Sequence, residues 1–195
     1  MSFTTAICRV RDKKPFFHKL DVYSDITKIL ENYQDDKEIL NIVLAAVVNV
    51  TNAQCIKEHS MPTMTKIMLQ VMQIINKHKE DSPDLMEVGM AAMSNFVFHD
   101  DLHEIVIESE FITIMFQVMR LHKNHMDLCM EAFDLIYNLT CGVHRRTSMK
   151  KIFKQQDVLQ LLQQILTLHS SANPTFYAKA NETLLHIGGV VIQFN

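Results

Sequence analysis

The sequence predicts an all-α fold, a solenoid of about four stacked helical repeats, on three observations. An asparagine returns inside similar apolar segments at Asn49, Asn95 and Asn138, with His186 at the fourth equivalent place, at intervals of 46, 43 and 48 residues. That is the period of helical arrays whose units cannot bury their apolar faces alone. A second apolar pattern repeats independently at a constant offset of 47: Ile67, Met68, Val71 and Met72, then Ile114, Met115, Val118 and Met119, then Leu161, Leu162, Ile165 and Leu166. Finally, 4 Gly and 4 Pro in 195 residues, 48% of them apolar, leave room for long helices around one core.

Taken in order, residues 1–19 read as an N-terminal segment, 20–52 as an incomplete first repeat, 53–99 as the second, 100–142 as the third and 143–195 as the fourth, all in one domain. The first repeat opens with a short helix marked by Ile26, Ile29 and Leu30. Each later repeat carries a longer helix with the offset-47 pattern, then a helix that contains the asparagine. In that last helix, Ile39, Leu85, Leu128 and Phe176 stand ten residues before the asparagine column, and Val50, Phe96, Leu139 and Ile187 one residue after it, which describes one helical face. Gly89, Ala132 and Ala180, six residues before the column, admit a close neighbour, and Val43 departs from them. Asp35-Asp36, Ser82-Pro83, Lys123-Asn124 and Asn173-Pro174 separate the two helices, with both prolines suited to a first turn. Short linking helices fit residues 53–59, 101–108 and 144–154.

The segments Ala45-Ala46-Val47-Val48-Asn49-Val50-Thr51 and Asp134-Leu135-Ile136-Tyr137-Asn138-Leu139-Thr140 resemble the third-helix signature of the armadillo-repeat superfamily, in its divergent and HEAT-like reaches. The resemblance spans roughly residues 20–190. It implies a right-handed superhelix whose third helices line a concave groove, where the recurring asparagine holds the backbone of an extended peptide. Carried over by position, this nominates Asn49, Asn95 and Asn138 for partner binding, with His186 as a departure. The alternative is that each amide only finishes its helix against loop backbone or water. The chain has no Trp, and Ala45, Ala91 and Asp134 stand where importin-α-like members clamp lysine stems. Binding of nuclear-import signals is therefore disfavoured. The glycine that such families place between first and second helices is also missing.

A net charge of −3 and a pI near 6.3 supply no global attraction to phosphate, which disfavours nucleic acid. No apolar run is long enough to span a membrane. Cys8, Cys55, Cys129 and Cys141 lack paired spacing and read as buried thiols of a reducing, intracellular compartment, cytoplasmic before cytoskeletal or ciliary. No cofactor motif or catalytic constellation stands out. The group from His99 to Glu104 places two imidazoles four residues apart, but a capped helix start explains it without metal, and His122 and His125 form a weaker pair. Arg145, Arg146, Lys150, Lys151 and Lys154 form a basic patch for an acidic partner, and Ser148 within it resembles a basophilic kinase site. Thirteen methionines fill the core or soften a groove, the core being the commoner use. The expected function is a non-enzymatic scaffold or adaptor that binds other proteins. Its rival is a structural subunit held through its ends, which also offer routes to self-association.

Overall fold

A computed structural model describes residues 22–51, 61–141, 152–153, 156–169 and 173–188. Among these the chain is all-helical, with no strand: α1 Val22–Asn32, α2 Lys37–Val50, α3 Met61–His78, α4 Pro83–Phe96, α5 Asp100–Glu108, α6 Phe111–Leu121, α7 Met126–Thr140, α8 Gln156–His169 and α9 Pro174–Ile187. The linking helix expected at 101–108 is α5. The one expected at 53–59 lies outside the described residues, and of 144–154 only Ile152 and Phe153 are described, both helical.

The helix starts follow their residues. Asp36 accepts from the backbone N–H groups of Glu38 and Ile39, and Asn173 from those of Thr175 and Phe176, so two of the orphan donors at each helix start are satisfied. His125 caps α7 differently, its Nδ1 accepting from Leu128 N–H at 3.2 Å. Pro83 and Pro174 occupy the first turns of α4 and α9, where a missing N–H costs nothing. Gly188 ends α9 at φ +85°, the left-handed conformation that a glycine adopts without strain.

The helices pack in two series. In one, α2 lies on α4, α4 on α7 and α7 on α9; in the other, α1 lies on α3 and α3 on α6, while Arg120 of α6 reaches Asp157 of α8 at 2.8 Å. Each helix of the first series also packs on its sequence neighbour in the second, and one apolar core runs between them from Tyr23 to Ile187. Met64, Met68, Met72, Met86, Met90, Met93, Met115 and Met119 are all buried in it. A Cβ on Gly89 would fall 2.9 Å from Ile75 Cγ1, so α3 and α4 touch where the small residue permits it. Phe133 of α7 meets Phe176 of α9 edge-on at 5.7 Å.

Candidate functional site

The asparagine column lies on the α2–α4–α7–α9 series, and its amides point along the row of helices. Asn95 Nδ2 donates to the Val48 carbonyl at 2.9 Å, tying α4 to α2. Asn138 Nδ2 donates to Ser94 Oγ at 2.7 Å and to the Ser94 carbonyl at 3.4 Å, tying α7 to α4. In place of an amide, His186 of α9 lays its ring against Tyr137 of α7, with centroids 4.7 Å apart. Val48, Ser94 and Tyr137 are each the residue just before the preceding member of the column, so the contact repeats in register. Asn49 donates to the Ala45 carbonyl of its own helix at 2.7 Å. Two of the nominated amides thus fasten neighbouring helices, although a primary amide has a second N–H and an acceptor oxygen beyond that bond. The threonines that follow at Thr51 and Thr140 are buried and bond back to Val47 and Ile136, closing their helices.

A second register column escaped the sequence reading. At the ends of α3, α6 and α8, the Nε2–H groups of His78, His122 and His169 donate to the carbonyls of Gln34, Lys79 and Lys123 at 2.7, 2.6 and 2.8 Å. Each acceptor lies in the preceding interhelical turn. The signal was present in the sequence: these histidines stand four, three and four residues before the caps Ser82, His125 and Asn173. His103 likewise donates to the Leu139 carbonyl at 2.8 Å, which fixes α5 on the end of α7. Among the described residues no three His, Cys, Asp or Glu side chains assemble as metal ligands. His125 donates from Nε2 to Asp84 at 3.2 Å, since its Nδ1 accepts from the α7 backbone.

The middle of the series is acidic. Helix α4 carries Asp84 and Glu87, α7 carries Asp127, Glu131 and Asp134, and neither holds a lysine or arginine. Burial pushes the Glu87 carboxyl up, Asp127 pushes it further, and His125 opposes them. Burial likewise raises Glu131, helped by Asp134 and opposed by Lys179. Lys179 of α9 pairs with Asp134, while among the described residues no lysine or arginine pairs with Glu87, Asp127 or Glu131.

Little else offers chemistry. Burial pushes the Cys129 thiol up to about 12, which leaves almost no thiolate at neutral pH. Cys141 is half-buried at the end of α7, more open than expected of a core thiol, because that helix stops beside it. Two clefts between helices of the second series, one beside Arg120 and Gln164 and one beside Gln34 and Gln73, enclose 250 and 170 Å³. Both fall below the roughly 300–1,000 Å³ of ordinary small-molecule sites. No described helix is long and apolar enough to cross a membrane. The basic patch from Arg145 to Lys154, with Ser148, lies outside the described residues. No protein-family model matches the chain, and no curated protein or solved structure matches it significantly.

Proposed function

We propose that this chain is a non-enzymatic protein-interaction module: an intracellular, armadillo-like, right-handed solenoid of about four units that receives a partner polypeptide on the concave face of its third helices. The observation that carries the reading is the α2–α4–α7–α9 series, in which successive helices repeat one contact in register and present one continuous face. Such a row displays side chains at even spacing, which suits an extended segment better than a compact ligand. The asparagines hold the row together, so removing them confounds binding with folding. The cleaner probe is Ala91→Arg, which places a long side chain on the half-exposed position one turn before Asn95. Partner capture from cell extract by this variant, with circular dichroism and melting temperature as the fold controls, should fall well below wild type. Full capture by a folded Ala91→Arg protein would remove the face from the function.

A second reading makes the chain a structural subunit gripped at its end. Leu185 on α9 is 61% exposed and Leu168 on α8 is 48% exposed, on the last two described helices. Leu185→Glu would separate the two, since it should abolish assembly under this reading and spare it under the first.

A further inference from the structure

The α4–α7 face has a charge that no described lysine or arginine fully neutralises. Five carboxylates on two adjacent helices face one lysine, at Asp134, and one histidine, at Asp84. Asp84 and Asp127 stand in first turns, where the helix dipole stabilises them. Glu87, Glu131 and Asp134 lie beyond those turns and gain nothing from it. Burial, and after it the neighbouring carboxylates, raises the carboxyls of Glu87 and Glu131, so the folded state bears a cost that glutamine at either position would relieve. The acids also run as a line across the helices. Glu38, Asp84 and Asp127 recur at the intervals of the asparagine column, 46 and 43 residues, on α2, α4 and α7. The chain itself shows what such a face accepts, because the Lys179 ammonium reaches over from α9 onto Asp134.

Resting on the interaction-face reading above, we infer that the partner segment is basic, an extended polypeptide whose lysine or arginine side chains lie along Glu87, Glu131 and their neighbours. The spacing fits. Packed helices stand about 8–10 Å apart, and one three-residue turn of a polyproline-II-like extended chain, which brings side chains back to the same side, covers about 9 Å. Basic residues three apart therefore meet carboxylates on successive helices, and the half-buried Val88 and Met130, each next in sequence to one of these glutamates, offer apolar surface to aliphatic stems.

The test uses the full chain and two fluorescein-labelled 15-residue peptides, one with lysine at every third position among Gly and Ser, the other with glutamate in place of lysine. Fluorescence anisotropy should show the lysine peptide binding, and Glu87→Gln/Glu131→Gln weakening it about tenfold while the melting temperature holds or rises. Glu104→Gln/Glu108→Gln, an equal charge change on the exposed acids of α5, should leave affinity unchanged. Equal affinity in wild type and Glu87→Gln/Glu131→Gln overturns the inference, as does equal weakening by the α5 pair or preference for the glutamate peptide. If any of these occurs while Ala91→Arg still blocks partner capture, the docking face stands and only its basic specificity falls.

Discussion

The two helix series are fastened by different chemistry and left in different electrostatic states. Along α1, α3, α6 and α8 the joints are imidazole-to-carbonyl bonds at the turns, backed by Lys66–Glu31 at 2.8 Å, Lys77–Asp35 at 2.7 Å and Arg120–Asp157 at 2.8 Å. Acids on that side find bases from the neighbouring helix; Lys77 holds Asp35 below the usual carboxylate range. Along α2, α4, α7 and α9 the joints are side-chain amides, a ring contact and the Lys179–Asp134 pair, and Glu87, Asp127 and Glu131 have no lysine or arginine partner among the described residues. The α2–α4–α7–α9 helices pack the more extensively on one another. The series with the unpaired acids is the more closely packed one, so internal neutralisation is not what holds its helices together.

That contrast can be broken most severely where both series share a core. Phe133 is fully buried against Phe176, so Phe133→Ala should cost about 3–5 kcal/mol in urea unfolding, and a smaller loss would mean that α7 and α9 are joined mainly by polar contacts. Next come the joints. His169→Leu leaves the Lys123 carbonyl with only the weak Cys129 thiol donor at 3.6 Å and should cost about 1–3 kcal/mol, whereas Asn138→Ala on the other series removes a half-buried bond and should cost about 1 kcal/mol. The reverse order would make the amide series the stronger seam.

Asn181 sharpens the comparison within one series. It stands five residues before His186, where the other helices carry Leu44, Met90 and Phe133, and its Oδ1 is buried without a partner. Asn181→Leu should therefore stabilise the protein by about 1 kcal/mol, read by thermal melting. The smallest effect is pH-dependent. Glu87 and Glu131 have folded carboxyls raised above their ordinary value of 4.5, so the fold holds more protons than the unfolded chain between that value and the raised one. Their contribution is full below 4.5 and is lost as pH rises through the folded value. Glu87→Gln/Glu131→Gln should melt higher than wild type at pH 7 and no higher near pH 4; a pH-independent difference would deny that burial and neighbouring acids raise these carboxyls.

The helices were legible because apolar residues at helical spacing, repeated at offset 47, fix which faces are buried whatever the details of packing. Breaks at Ser82-Pro83 and Asn173-Pro174 were legible for a local reason, the missing proline N–H. The direction of an amide was not. Whether Asn95 faces outward or reaches Val48 depends on how α4 crosses α2, and a residue list carries no crossing angle. The histidine joints hid for a related reason: His78, His122 and His169 align only when counted back from the caps, and the first unit has Tyr33 in place of a histidine. The acidic face was invisible because the helix-by-helix charge is modest, and what matters is the burial and cross-helix proximity of Glu87 and Glu131.

The buried methionines are unevenly placed. Eight of them lie on α3, α4 and α6, while α8 and α9 contain none and carry Leu162, Leu166 and Leu184 at positions equivalent to Met68, Met72 and Met93. An unbranched thioether changes rotamer with little penalty, whereas branched and aromatic side chains do not. Stiffness therefore differs along the chain, with a core that yields more readily under α3, α4 and α6 than under the last helix pair.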